Sequence, residues 1–76
     1  MKKISLAKAL EMLEKEKKVS FKTVNQYNYT THCININAEN KTVNFESRLT
    51  KNIITEKTFY ALSGLCVKMG YECKGE

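Results

Sequence analysis

ITEKTFYALSGLCVKMG (residues 54–70) is the most apolar continuous stretch of the chain, and its reading decides the fold. Thr55 carries the hydroxyl of an N-cap, which can accept from an amide of the first turn that has no partner inside the helix. Ile54 before it and Phe59 four positions into the helix have the spacing of a hydrophobic staple. Phe59, Leu62, Cys66 and Met69 then recur on one side at helical spacing, with Leu65 flanking them. Gly70 stands where a helix commonly ends, because glycine enters the left-handed region without strain. The stretch predicts a buried helix at the centre of a small α+β domain. Gly64 in its middle costs about 1 kcal/mol relative to alanine, which predicts a close approach by Ala7 or Ala9 of another helix.

Working back towards the N-terminus, the period changes from helical to two. Val43 and Phe45 alternate with Thr42, Asn44 and Glu46; Ile34 and Ile36, with His32, alternate with Cys33, Asn35 and Asn37; Val19, Phe21 and Thr23 alternate with Ser20 and Lys22. Three half-buried strands in an antiparallel meander follow. Parity sets the register, since a slip of one residue would turn every side chain to the wrong face. It places Ile36 opposite Val43, Ile34 opposite Phe45, Phe21 near Ile34 and Val19 near Ile36. The second connection is then an even-length loop, either Glu39-Asn40 or residues 38–41. The longer is favoured because Glu39 does not suit the positive φ of a two-residue turn. Residues 25–29 round the first turn. Residues 48–53 form a connection that is polar except for Leu49 and Ile53.

A first helix begins at the cap Ser5 and runs to about Lys18, with Leu6, Ala9, Leu10 and Leu13 as its apolar face and Met12 at the border. Glu11–Lys15 and Glu14–Lys18 have i,i+4 spacing in the favourable order. Tyr71-Glu72-Cys73 is suited to a short final strand at a sheet edge. The fold class is therefore α+β: a single small domain over residues 1–76, ordered helix, three-stranded antiparallel meander, helix, with room for a short fourth strand. Both helices are expected on the one apolar face. The core is expected to contain Leu6, Leu10, Leu13, Phe21, Ile34, Ile36, Val43, Phe45, Phe59, Leu62, Cys66 and Met69.

The 76 residues suffice for one modest core and no second domain, and neither Pro nor a Gly/Ser-rich linker occurs. The formal charge of +5 is carried almost wholly by lysine, with Arg48 the only arginine. Lysine gives diffuse, salt-sensitive attraction to anions, whereas base and phosphate readout with paired hydrogen bonds is the work of arginine. Cys33, Cys66 and Cys73 are odd in number and lack C-x-x-C spacing, so no disulfide framework, no metal site and a reducing cytosol are expected. The N-terminal apolar run is interrupted by Lys8 and Glu11, which fits neither a signal peptide nor a membrane span.

No catalytic constellation emerges. Aspartate is absent, and the three glycines at 64, 70 and 75 make no phosphate-cradling loop. His32 and Cys33 are neighbours on a strand and point to opposite faces, which excludes a dyad between them. An enzyme is not expected, nor a cofactor. The candidates that remain are surfaces. Around the first turn Tyr27, Tyr29 and His32, with Asn25, Gln26 and Asn28, form an aromatic and amide cluster suited to contact, and next to Lys22 its rings are also suited to stack single-stranded bases. The outward sheet face offers a polar strip of Thr31, Cys33, Asn35, Thr42, Asn44 and Glu46, with Arg48 and Lys51 beside it on the connection.

Two function classes are compatible with this. In the first, the chain docks stoichiometrically on a larger protein or ribonucleoprotein. Compact, lysine- and asparagine-rich domains without a catalytic set are common among phage-encoded inhibitors of host nucleic-acid machinery, anti-CRISPR proteins included, and the analogy is one of composition. In the second, the chain binds RNA or DNA directly through its lysines. The element order is also that of double-stranded RNA-binding domains. However, the second helix opens on NIITEK without their glycine-rich turn and lysine cluster, and the first strand loop lacks Gly and Pro. The likeness stops at topology.

Overall fold

The computed structural model describes residues 2–74. It contains α1 (Leu6–Glu16), β1 (Lys18–Val24), β2 (Thr30–Asn37), β3 (Thr42–Asn44), α2 (Glu56–Lys68) and β4 (Glu72–Lys74). The strands form one sheet in the order β1-β2-β3-β4, antiparallel except for the β3–β4 pair. The fourth strand lies outside β3, with Val43 opposite Cys73. A meander that closes on a parallel edge strand makes the sheet mixed.

The strands pair as parity requires, except that β3 ends before Phe45 can pair with Ile34. Val19 faces Ile36, Phe21 faces Ile34 and Ile36 faces Val43. Both helices contribute to one core with Val19, Phe21, Ile34, Ile36 and Val43, and fully burying each such side chain is worth about 1.5–3 kcal/mol. The β2–β3 loop spans four residues, 38–41, with Asn37 paired to Thr42. Its left-handed residue is Lys41, at φ 55°. Asn40 instead donates its amide to Asn37 Oδ1 at 3.0 Å.

Helix α1 ends two residues earlier than its charge pattern suggests. Lys17 turns to φ 66° while its amide still bonds the Leu13 carbonyl, and Lys18 already belongs to β1. The helical Glu14–Lys18 pair is thereby lost. The ion pair that does form on α1 is Lys8–Glu11, at 3.0 Å. Ala9 and Leu13 are buried, and Leu6, Leu10 and Met12 pack half-buried at the rim of the core.

Two residues expected in the core are outside it. Met69 is 55% exposed because α2 stops in a Schellman turn. Gly70 adopts φ 86°, its amide bonds the Val67 carbonyl, and the Tyr71 amide bonds the Cys66 carbonyl at 2.9 Å. This 6→1, 5→2 pattern folds the chain back over the last turn, and Tyr71 takes the core position that Met69 would have filled. Phe45 is 37% exposed because β3 ends one residue before it. Asn44 Oδ1 accepts from the Glu46 amide, an Asx turn that takes the chain out of the sheet. Asn35 Nδ2 then holds both the Asn44 and Glu46 carbonyls, at 3.2 and 2.9 Å.

Gly64 makes no close approach. It is exposed on α2, with nothing within 4 Å of the place a Cβ would occupy.

Candidate functional site

From Asn44 the chain does not return directly to the helical side. Residues 45–53 cross the outward face of the sheet as a strap. The Arg48 carbonyl lies 3.7 Å from Cys33 Sγ, and Thr50 Oγ1 and Asn52 Nδ2 each donate to the Ser20 carbonyl at 3.0 Å. The strap then adds itself to the free edge of β1. The Lys22 amide donates to the Asn52 carbonyl, and the Ile54 amide to the Lys22 carbonyl, both at 2.9 Å. The N-terminal segment is tied in as well, through Ile4 N–H to the Ile53 carbonyl at 2.7 Å.

The strap changes what the polar face is. Cys33 points outward, as its parity requires, but lies buried beneath the strap, and Ile53 of the strap itself is buried where it joins β1. The face is a roofed cleft of about 370 Å³, and Asn35, Asn44 and Arg48 all line it. Their grouping follows from pairing, because Asn35 faces Asn44 across β2 and β3. Lys22 shares the face but is half-buried, with both backbone groups bonded to the strap. Lys51 is exposed on the strap. Within the cleft wall, Asn35 Oδ1 is buried with no partner among the described residues.

The remaining candidate residues stand elsewhere. Asn25 Oδ1 accepts from the Tyr27 and Tyr29 amides at 2.8 and 3.0 Å, and Asn28 takes φ 68°. This bracing makes the first turn a defined loop that holds Tyr27 and Tyr29 out to solvent, with Gln26 exposed just before them. The structure therefore divides the ten candidate residues into a turn group, residues 25–29, and a group on the strapped side, where Asn35, Asn44 and Arg48 line the cleft and Lys22 and Lys51 do not.

The first-turn cluster does not hold His32, which belongs instead to a second aromatic group that escaped the sequence reading. His32 stacks on Phe59 at 4.9 Å and meets Tyr60 edge-on at 5.9 Å, while Phe45 meets Phe59 edge-on at 6.1 Å. Tyr60 and Phe45 are exposed. A shallow pocket of about 430 Å³ opens between Phe45, Phe59 and the first half of β2, where β3 no longer covers the edge. The available signal was Tyr60 next to Phe59 on α2: neighbours on a helix lie about 100° apart, so one of them had to leave the core.

His32 Nε2 lies 3.4 Å from Glu56 Oε2 at the start of α2, and no cysteine is among its partners. Burial pushes the Cys66 thiol above its ordinary value, and negative charge on Cys73 would push it further. Burial likewise raises Tyr71, with Cys66 as the lesser cause. A thiol so placed stays protonated and is a poor nucleophile. Among the described residues no three of His, Cys, Asp and Glu come together as a metal site, and no helix is long and apolar enough to cross a membrane. Neither a family model nor a curated protein nor a solved structure matches this chain.

Proposed function

We propose that the chain is a non-enzymatic binding protein that works stoichiometrically in the cytosol. It occupies the surface of a larger macromolecular partner, in the manner of phage-type inhibitors of host nucleic-acid machinery. The supporting observation is where the fold spends its aromatic residues. The chain has four Tyr and three Phe and no Trp, yet Tyr27, Tyr29, Phe45 and Tyr60 are exposed. A domain this small, short of core material, gains stability from every ring it buries. Leaving more than half of them outside has a cost, and contact with a partner is the use that aromatic surface serves best.

Topology gathers these rings at one end. The turn bearing Tyr27 and Tyr29 leads into the half of β2 that carries His32, beside Phe59 and Tyr60. Phe45 leaves β3 at the same end, since β2 and β3 are antiparallel. Rigid rings with few rotatable bonds, around a shallow pocket, are features of interface cores.

The test uses the intact chain as bait in host extract, with Tyr27→Ser/Tyr29→Ser and Tyr60→Ser variants beside it. The recovered partner is then titrated. Loss of about 2 kcal/mol or more of binding in a folded aromatic variant, with inhibition saturating near one equivalent, is the expected result. Full effect far below one equivalent would mean an enzyme.

A further inference from the structure

The positive charge is not spread evenly over the fold. The two helices are balanced, with Lys8, Lys15, Lys57 and Lys68 against four glutamates. The strapped side is not: Lys18, Lys22 and Lys74 on the strands and Arg48 and Lys51 on the strap stand against Glu46, Glu72 and Glu16, which reaches the cleft from the end of α1. None of these five cations is in an ion pair among the described residues. Of these, Lys18 and Arg48 line the cleft of about 370 Å³ under the strap, and Lys74 pairs beside its lining residue Asn44.

The cleft wall is also unusual in its chemistry. Each of its amide side chains uses one end for the fold and leaves the other free. Asn37 and Asn44 accept through Oδ1, from the Asn40 and Glu46 amides, and keep Nδ2 as a free donor. Asn52 donates through Nδ2 to the Ser20 carbonyl and keeps Oδ1 as a free acceptor. The hydroxyls of Ser20 and Thr42 lie among them.

We propose that this cleft is a binding site for single-stranded nucleic acid, holding one splayed-out nucleotide with its base edge against the amides and the flanking phosphates on the cations. Fixed donors beside a fixed acceptor complement the edge of a nucleobase, which presents both kinds of group side by side. The unpaired cations Lys18, Arg48 and Lys74 select an anionic ligand over a peptide amide of similar edge. Glu16 repels phosphate at the rim it shares with Lys18, which favours a strand path by Arg48 and, beside Asn44, Lys74. Single-strandedness follows from shape. Base edges in a duplex are read by a helix or ribbon that protrudes into a groove, whereas a concave cleft can receive only a base that has left its stack. No aromatic side chain lines the cleft, so stacking adds little and the affinity falls in the range of weak electrostatic binding, about 10⁻⁴–10⁻⁶ M at physiological salt.

The site is separate from the aromatic end, and the test keeps the two apart. Fluorescence anisotropy is measured with short mixed-sequence RNA and DNA single strands and with the matching duplex, between about 50 and 200 mM salt. The single strands are expected to bind, with affinity falling about tenfold or more over that range. Arg48→Glu/Lys74→Glu is expected to weaken binding at least about tenfold, and Lys57→Glu/Lys68→Glu on the balanced helix by less than about twofold. Asn44→Asp keeps the acceptor for the Glu46 amide but replaces the free donor, and is expected to change the base preference among homopolymers. Tyr27→Ser/Tyr29→Ser leaves oligonucleotide binding unchanged, so either reading can fail without the other. Equal binding of the duplex, equal loss in the helix variant, an unaltered base preference in Asn44→Asp, or binding only to an acidic protein would each overturn the assignment.

Discussion

Gly64 and Gly70 lie six positions apart and call for opposite substitutions. At Gly64 a methyl group would meet nothing within 4 Å, so Gly64→Ala is expected to raise stability by about 0.5–1 kcal/mol through helix propensity alone. Gly70 sits at φ 86°, and Gly70→Ala is expected to lower stability by about 1 kcal/mol or more. Urea midpoints of the two variants separate these outcomes. The same measurement distinguishes the phenylalanines. Phe21→Ala and Phe59→Ala remove buried rings and should cost about 3–5 kcal/mol; Phe45→Ala, already half in solvent, should cost only about 1–2 kcal/mol. Parity placed Phe45 on the correct side of its strand but said nothing of where the strand ends. That was decided by one hydrogen bond from Glu46 N–H to Asn44 Oδ1, which an asparagine permits but does not announce.

Alkaline stability is also set by single groups. Cys66 and Tyr71 hold their protons more tightly folded than unfolded, because burial raises both above their ordinary 9.0 and 10.0. The unfolded chain therefore releases protons first, and stability is full below about pH 9 and declines as pH rises through the raised values. Thermal melts between about pH 8 and pH 10.5 are expected to show this decline, and Cys66→Ala should shift its onset towards the tyrosine range. A melting temperature flat across that interval would contradict the burial of both groups.

Among the elements, the strands and α2 were legible because their information is periodic and local. Alternation fixed the faces, parity fixed the register, and Thr55 and Gly70 marked the ends of α2, whose cap accepts from the Thr58 amide at 3.1 Å. The strap was not legible. Its residues have no period, and its anchors are backbone groups of β1, some thirty positions away in sequence: the Ser20 carbonyl is 30 residues from Thr50 and 32 from Asn52. A carbonyl is present at every residue, so sequence cannot say which one will be chosen. The site divided along the same line. The turn group was readable as local Asn chemistry, whereas the cleft exists only because the strap roofs it. Hydrogen exchange checks the description: the amides of Ile4, Lys22 and Ile54 are expected to exchange slowly, and that of Leu49, whose side chain is 98% exposed, to exchange fast. Thr50→Val/Asn52→Ala removes two bonds to Ser20 and should cost about 1–3 kcal/mol while speeding exchange at Lys22 more than in α2.

At the scale of the whole molecule, the limiting quantity is surface. A standard interface takes about 800 Å² from each partner, a sizeable fraction of the 5355 Å² this chain exposes. Over the two helices lysine and glutamate balance, which keeps that side well solvated. The strap has one further consequence. By bonding Lys22 and Ser20 along the outer side of β1, it closes a seven-residue strand that would otherwise offer its backbone to any neighbouring chain. The opposite border is β4, three residues long and carrying Glu72 and Lys74, too short and too charged to extend. A sheet fastened at one border and blunted at the other resists polymerising through its strands, so the fold itself guards the protein against edge-to-edge aggregation.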